Sequence, residues 1–335
     1  MPIRFGSIIE EHNCVRNAVG KFDVSHMGQI YLDGKDAEYL TNKLVSNNVT
    51  RLSDNQAQYA MITDDNGIIL DDTLVYRNSS ESFMFIPNAG HDEEMFLRWE
   101  HFRDKWDLDV TIKNSTNEIA MFAIQGPLAV DSIDALSPDS LSDLKRFTTT
   151  VTTISGITCT VSRTGYTGED GFELLLSSND AVTLWDALDF PSCGLGSRDT
   201  LRTEMGFLLS GQDFNHQTNP RTPFEAGVDF TVDLEQDFIG RDALLELHSQ
   251  ELSLNFIGFS LSERSIPRPG SAILNDMGEQ IGVVTSGTLS PTLDLPIGLG
   301  YVPPSYSSIG SSLQVAIRNS FKPATICSTP FINPQ

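Results

Sequence analysis

The chain has 335 residues, of which 39% are hydrophobic, and this size and content are typical of a globular protein with two or three domains. Its 45 acidic and 22 basic side chains give a formal net charge of −23, which argues against a nucleic-acid partner, since such binding needs dense Lys and Arg. No apolar run approaches the roughly 20 residues that cross a bilayer, and the N-terminus lacks a signal-peptide pattern, so we expect a cytoplasmic protein with no membrane partner.

The cysteines and histidines give no sign of a metal centre. Four cysteines and six histidines are spread along the chain, without a CxxC or HxxxH spacing. Structural zinc sites need closely spaced ligands, and a disulfide framework is unusual at this length. We therefore predict no metal site and no disulfides, and we interpret the acidic excess as a heavily solvated surface, as in salt-adapted proteins.

In chain order, about the first 190 residues mix short strands with helices. The patterns predict a strand at 28–34, a helix from Lys35 to Val45, a hairpin over 57–78 with its turn at Asp64–Gly67, a strand at 81–90 that runs into a loop, and an amphipathic helix at 91–106. A strand, a Gly-Pro turn and a helix follow at 118–136, then a strand at 172–176 and a helix at 180–190. This order lacks the regular alternation of a parallel sheet and favours an α+β fold.

The composition changes beyond about Asn255. Short apolar runs such as "IGVVTSG" and "PIGLGYV" alternate there with Gly, Pro, Ser and Asn, a pattern that suits a small all-β domain. We place the boundary near Gln250, which divides the chain into an α+β region at 1–250 and a C-terminal β domain at 251–335.

The stretch "SRTGYTGEDGFELLL", residues 162–176, places Gly165, Gly168 and Gly171 close together. A phosphate loop has such glycines, but it opens a helix, whereas this loop carries two acids and runs into a predicted strand. The turn instead delivers Glu173 into an apolar strand. The pattern alone favours a water-facing Glu173; the alternative is a carboxylate inside a cavity, where it accepts two hydrogen bonds from a planar N–H donor pair.

Two adjacent acids, Asp71 and Asp72, interrupt the apolar strand "ILDDTLV". Because strand side chains alternate, the two must point to opposite faces. We expect one to face water and the other to point inward, where an isolated charge is costly without a partner. An inward carboxylate of this kind suits proton transfer or the orientation of an amine.

A helix is predicted to start near Arg198 or Asp199 in "GLGSRDTLRTEMGF". The helix dipole disfavours a cation at this end, so the position of Arg198 requires an explanation. Two remain open: a local ion pair with Asp199 or Glu204, and a carboxylate partner elsewhere, such as Glu173.

Several stretches, in order along nearly the whole chain, together resemble the T-protein family of the glycine cleavage system, the tetrahydrofolate-dependent aminomethyltransferases. They are "FDVSHMGQI", "AQYAMITDDNGIILDDTLVYR", "FAIQGPLA", "RTGYTGEDGFEL", "GLGSRDTLRTEMGF", "TPFEAGVDFTVDLEQDFIGRDAL" and "IGVVTSGTLSPTLDLPIGLGYV". The motif "GYTGEDGFE" separates the chain from folate-binding iron–sulfur assembly factors and from dimethylsulfoniopropionate demethylases, which share the architecture.

The resemblance implies three domains around a central folate-binding cavity, with a small C-terminal β-barrel. It implies transfer of the one-carbon unit from the aminomethyl group on the lipoyl arm of H-protein to tetrahydrofolate. The products are methylenetetrahydrofolate, ammonia and dihydrolipoyl H-protein. The implied enzyme is a monomer that needs no metal and binds H-protein transiently.

Matching positions carry the family's site residues onto this sequence. Asp72 matches the catalytic Asp that contacts the N10 region of folate, Glu173 the carboxylate that grips the pterin edge, and Arg198 its basic neighbour. Positions that line the folate site are matched by Met27, Tyr59, Asn88 and Tyr166. For Glu173, the resemblance overrides the water-facing interpretation.

The sequence departs in two ways from the pattern that is usual in the family. Family members usually have a further stretch ahead of "MPIRFGS", so we expect a shortened first subdomain. H-protein is usually acidic, so docking to this acidic chain needs a local basic patch or screening by salt.

The alternative functions are a tetrahydrofolate-dependent demethylase of a small methylated compound, active without H-protein, and a folate-binding protein without transfer chemistry.

Overall fold

Two antiparallel sheets and a closed barrel form the frame of the protein. The computed structural model describes residues 1–333. The strands are β1 (Gly20–Asp23), β2 (Ile30–Asp33), β3 (Gln56–Thr63), β4 (Ile69–Ser79), β5 (Ser82–Ile86), β6 (Thr111–Asn114), β7 (Ile119–Gln125), β8 (Thr149–Ile154), β9 (Ile157–Ser162), β10 (Gly171–Ser177), β11 (Asn255–Leu261), β12 (Ala272–Leu274), β13 (Gln280–Ser290), β14 (Leu295–Val302), β15 (Ser312–Ile317) and β16 (Ser320–Cys327). The α-helices are α1 (Ile8–Asn17), α2 (Ala37–Leu44), α3 (Asp92–Lys105), α4 (Ala129–Asp134), α5 (Ala181–Ala187), α6 (Leu195–Met205) and α7 (Arg241–His248).

The first sheet has the strand order β3-β4-β5-β2-β6, with antiparallel neighbours. The predicted hairpin is confirmed as β3 and β4, and the Asp64 carboxylate stabilises its turn by accepting hydrogen bonds from the backbone N–H groups of Asn66 and Ile68. Helices α2 and α3 form in the two segments predicted to be helical, and both pack on this sheet. In the core between them, the ring centroids of Trp99 and Phe85 are 4.3 Å apart.

The second sheet has the strand order β1-β7-β10-β9-β8, also with antiparallel neighbours, and α4 and α5 pack against it. These two sheets confirm the α+β prediction. An apolar cluster that includes Phe22, Tyr76 and Met121 connects them. The hydroxyl of Tyr76 on β4 lies 3.3 Å from that of Thr164, just after β9, so the packing brings the two sheets together at this point.

Helix α6 begins at Leu195, earlier than the predicted start near Arg198. The extended N-terminal segment supplies the reason, because the Ile3 carbonyl accepts a hydrogen bond from the backbone N–H of Gly196 in the first turn. Gly194 permits this approach, since a Cβ there would lie 2.5 Å from the Ile3 carbonyl oxygen. Arg198 therefore lies inside the helix.

The C-terminal β domain is a closed barrel with the strand order β11-β14-β13-β12-β15-β16. The prediction of a small all-β domain is confirmed, and its first strand starts at Asn255. Apolar side chains such as Phe259 and Ile273 fill the barrel. The domain boundary near Gln250 stays a prediction.

Buried ion pairs on α6 fix the barrel to the rest of the protein. Glu204 is fully buried and accepts hydrogen bonds from Arg16 of α1 at 3.0 Å and from the Ser290 hydroxyl of the barrel at 2.5 Å. Arg202, also on α6, donates to Ser286 Oγ of the barrel at 2.8 Å and to Asp213 at 2.9 Å. Because an unpaired buried charge is costly, these contacts form only when α1, α6 and the barrel pack together.

Glu204→Gln should lower the free energy of unfolding by about 3 kcal/mol at neutral pH, because it removes one of the two carboxylates that pair with the buried Arg16 and leaves only Glu169 to compensate it. Burial disfavours the Glu204 carboxylate, but hydrogen bonds from His12 and Ser290 and the charge of Arg16 outweigh burial and hold its pKa at about 2. The stabilisation is thus complete above the ordinary pKa of 4.5 and is lost as the pH falls towards 2. Urea unfolding at neutral pH and at about pH 3 measures the free energy of unfolding of the wild type and the variant. An equal loss of stability in Glu263→Gln, which breaks an exposed ion pair, would contradict the prediction.

Candidate active site

Asp71 and Asp72 are adjacent on β4 and both are buried: Asp71 is 0% and Asp72 9% exposed. The expectation that one of them faces water is wrong. The segment after β5 and a distant loop fold over Asp71, which accepts hydrogen bonds from the backbone N–H of Asn88 at 2.9 Å and from Ser210 Oγ at 3.1 Å. Strand alternation predicts that the two side chains diverge, but it gives no sign that both faces are covered.

Both oxygens of Asp72 are held by hydrogen bonds. The hydroxyl of Tyr59 on β3 donates to Oδ2 at 2.5 Å, and Asn88 Nδ2 donates to Oδ1 at 2.5 Å. Burial, followed by repulsion from Asp71, raises the pKa of Asp72 from 3.8 to about 7, although the two hydrogen bonds oppose this rise. A fixed carboxylate with this pKa can take up or release a proton near neutral pH, as general acid–base chemistry requires.

Glu173 lies in the middle of the second sheet, opposite Ala123 on β7 and Ser162 on β9. Its side chain is 5% exposed, so the water-facing interpretation is wrong; β10 is covered on both faces. Oε2 accepts a hydrogen bond from Thr164 at 2.5 Å, whereas no donor in the described part of the chain reaches Oε1. Burial raises the pKa of Glu173, and the Thr164 hydrogen bond and the charge of Arg198 oppose that effect.

Arg198 approaches the site from α6. Its guanidinium carbon lies 4.6 Å from the centre of the Tyr166 ring, in a cation–π contact. The two local partners considered for it, Asp199 and Glu204, bind other arginines instead, and no carboxylate within residues 1–333 forms an ion pair with it. Burial lowers the pKa of Arg198, while Tyr166 and Glu173 favour its charged form.

Tyr166, from the glycine loop, is a neighbour of both Asp72 and Arg198. Its hydroxyl donates to the carbonyl of Leu208, and its ring stacks on that of Phe207 with centroids 5.7 Å apart. Burial, with a smaller effect from Asp72, raises the pKa of the Tyr166 hydroxyl against the opposing effect of nearby arginines. The ring therefore connects the Asp72 side of the site to the Arg198 side.

The loop before β10 turns tightly, as its glycines predict. Gly168 has a φ of +86°, in the left-handed region, and a Cβ on Gly165 would lie 1.9 Å from Gln125 Oε1. Only residues without a side chain allow this packing. It lets one short loop present Tyr166 and then enter β10 two residues before Glu173.

Two further residues at the site carry no distinguishing sequence signal. Phe230 is 72% exposed, and its ring stacks on that of Tyr59 with centroids 6.5 Å apart. Thr164 is the donor to Glu173. Met27, predicted to line the site, is half-buried against the apolar cluster between the sheets.

Within residues 1–333, no group of three or more His, Cys, Asp or Glu side chains is arranged to hold a metal ion. In the same part of the chain, no helix combines the length and the apolar character needed to cross a membrane. All four cysteines are free thiols.

Comparison with known families accounts for both parts of the chain. The GCVT N-terminal domain matches residues 1–236, and the glycine cleavage T-protein C-terminal barrel domain matches residues 255–333. The chain belongs to the glycine cleavage T-protein family. This confirms the family resemblance seen in the sequence motifs.

Individual relatives agree with this assignment. The "probable aminomethyltransferase" of Halobacterium salinarum is 50% identical over 338 residues, covering 99% of this chain and 93% of the relative. The aminomethyltransferase of Halothermothrix orenii is 41% identical, with coverages of 99% and 93%. The crystal structure of glycine cleavage system aminomethyltransferase T from Bartonella henselae superposes with a TM-score of 0.91 at 28% identity, covering 98% of this T-protein family member and 90% of that chain. The T-protein fold is therefore confirmed.

Tyr59→Phe should raise the pKa of Asp72 further, by about one unit, because it removes a hydrogen bond to the charged carboxylate. Titration of ¹³C-labelled Asp carboxyl groups by NMR measures the change. Tyr39→Phe, at a tyrosine that is 51% exposed, is the matched control and should leave the titration unaltered. An unchanged Asp72 titration in Tyr59→Phe would show that the hydrogen bond has no effect on the carboxyl group.

Proposed function

We propose that this chain is the aminomethyltransferase of a glycine cleavage system, with Asp72 as its catalytic residue. In this reaction the one-carbon unit of the aminomethyl group on the lipoyl arm of H-protein passes to tetrahydrofolate. Methylenetetrahydrofolate, ammonia and dihydrolipoyl H-protein are the products. The family membership and the names of the relatives support the reaction, while the roles of single residues rest on the geometry of the site.

One observation carries the assignment of the folate site: a buried carboxylate and a half-buried guanidinium that both keep hydrogen-bonding capacity for a ligand. Glu173 has one carboxylate oxygen without a donor, and Arg198 has no carboxylate partner in the described part of the chain. Unused capacity of this kind is uncommon for buried charges, which are normally paired. A pterin ring presents two parallel N–H donors along one edge, which fit a carboxylate such as Glu173.

Three of the other predicted residues contact Arg198 or Asp72. Tyr166 supports Arg198 through its ring, and Tyr59 and Asn88 hold Asp72. These residues, with Met27, would hold tetrahydrofolate, which supplies the amine that accepts the one-carbon unit. Residues fixed by hydrogen bonds and aromatic packing lose little freedom when a ligand binds, which favours a defined geometry between the two substrates.

Asp72 is suited to act on the amine that accepts the one-carbon unit. Its carboxylate is fixed at both oxygens, so it can orient an amine N–H without reorganising. With a pKa of about 7, it is partly ionised at neutral pH and can accept a proton from an amine that gains positive charge. The active form is the carboxylate, so activity should rise as the pH increases through about 7.

We further propose that the chain acts as a cytoplasmic monomer that binds a lipoyl H-protein transiently and needs no metal. The net charge of −23 repels an acidic partner as it approaches. Binding then depends on a local basic patch or on salt that screens the repulsion.

A reconstituted glycine cleavage assay with H-, P- and L-proteins tests the reaction. The wild-type chain should give tetrahydrofolate-dependent glycine cleavage, and Asp72→Asn should lower kcat by about 10²–10³-fold because the amide accepts no proton. Folate binding by Asp72→Asn, measured by calorimetry, should remain. No activity of the wild type would contradict the function, methyltetrahydrofolate formation without H-protein would favour a demethylase, and an Asp72→Asn variant that fails to fold would mean a structural role.

Glu173→Gln should weaken folate binding by about 10- to 100-fold, because the amide replaces a charge-assisted acceptor with a weaker one. Calorimetric titration with tetrahydrofolate under reducing conditions measures the affinity. Glu118→Gln is the control, since Glu118 lies just before β7 and forms an exposed ion pair with Lys113. Equal affinities of the wild type and Glu173→Gln for tetrahydrofolate would show that Glu173 does not contribute to folate binding.

A further inference from the structure

Asp71 is a fully buried carboxylate next to the proposed catalytic residue, and the reaction as proposed gives it no role. Its oxygens accept hydrogen bonds from the backbone N–H of Asn88, from Asn88 Nδ2 and from Ser210 Oγ. A fourth contact comes from the imidazole of His91, whose Nδ1 lies 3.0 Å from Asp71 Oδ1. A buried negative charge so close to Asp72 needs compensation.

Asn88 connects the two acids directly. Its Nδ2 lies 2.8 Å from Asp71 Oδ1 and 2.5 Å from Asp72 Oδ1, so one amide group holds both carboxylates. Its backbone N–H is committed to Asp71 as well. A change in the position of Asp71 therefore reaches Asp72 through the Asn88 side chain, while the charge of Asp71 acts on Asp72 directly.

His91 occupies the N-cap position of α3, where its backbone N–H donates to the Asn88 carbonyl. The ring is half-buried, and Nδ1 lies 3.0 Å from Asp71 Oδ1 without a well-aligned hydrogen bond. A cation is disfavoured at the start of a helix, but Asp71 compensates. Contact with Asp71 raises the pKa of His91 above its ordinary value against the effect of burial, with smaller contributions from Glu94 and Asp72.

We propose that His91 is a positioning residue for the transfer reaction: its protonated ring compensates the charge of Asp71, which favours the ionised form of Asp72, and the Asp71–Asn88 contacts that it supports fix the placement of the Asp72 carboxylate. This inference rests on the proposed role of Asp72. It assigns a function to a side chain that would not touch either substrate.

The groups around the two acids support a compensating role. Those that face the pair are the phenols of Tyr59 and Tyr166, the amide of Asn88, the hydroxyl of Ser210 and the ring of His91. Of these, only His91 can carry a positive charge, and the contact with Asp71 favours that form. Without it, the negative charge of Asp71 acts on Asp72 uncompensated, and a higher pH is needed to ionise Asp72.

His91→Gln should therefore move the acid limb of the kcat/KM–pH profile upward by about one pH unit. At a pH well above that limb, the activity should return to within about twofold of the wild-type value. His101→Gln is the matched control, because His101 is an exposed histidine on the same helix that makes only an edge-to-face contact with Phe102, and it should not move the limb. An equal loss at every pH would indicate a structural role and overturn the proposal, as would an unshifted limb.

The Asp71→Asn background tests the route of the effect. Removing the charge of Asp71 should move the acid limb downward, and adding His91→Gln to Asp71→Asn should then change it little, because the charge that His91 compensates is gone. A full upward shift in the double variant would mean that His91 acts without Asp71, and would overturn the proposal.

A second measurement separates this inference from the proposed function. Titration of ¹³C-labelled Asp carboxyl groups by NMR in the ligand-free protein follows Asp72 without any turnover. If the wild type shows no aminomethyl transfer, the proposed function fails, and the His91→Gln titration still decides whether His91 controls the ionisation of Asp72. An upward shift of the Asp72 titration by about one unit supports that control, and an unchanged titration overturns it.

Discussion

The structure depends most on one carboxylate that water does not reach, that of Glu204 on α6. Its two oxygens are held from α1 by Arg16 and from the barrel by Ser290 and Thr292. A buried charge of this kind is tolerable only when its partners are in place, so α1, α6 and the barrel must assemble as one unit. Because Arg198 lies on the same helix, this assembly also fixes one side of the site.

The site uses its carboxylates in different ways, and their surroundings explain the difference. Asp72 has both oxygens engaged by Tyr59 and Asn88, with a second acid beside it, so its position is fixed and its proton affinity is raised. Glu173 has one oxygen engaged by Thr164 and one left for a ligand. The first arrangement suits proton handling at a defined point, and the second suits recognition of a planar donor edge.

Local patterns predicted much of the fold. The hairpin turn at Asp64–Gly67 forms from its own side-chain and backbone hydrogen bonds, and α2 and α3 follow from their apolar spacing. The patterns failed where a distant segment decides the outcome. Helix α6 begins early because the Ile3 carbonyl caps its first turn, and Glu173 is buried because the second sheet is covered on both faces.

The sequence by itself determined the class of the fold, the tight glycine loop and, through its motifs, the family to which the chain belongs. It also marked Asp72, Glu173 and Arg198, since charges that interrupt apolar patterns are visible without coordinates. Only the tertiary structure decided that Asp71 is buried as well and that His91 lies beside it, because residues from three separate segments meet there. Burial and ionisation depend on what packs against a side chain, and segments far apart along the chain supply that packing.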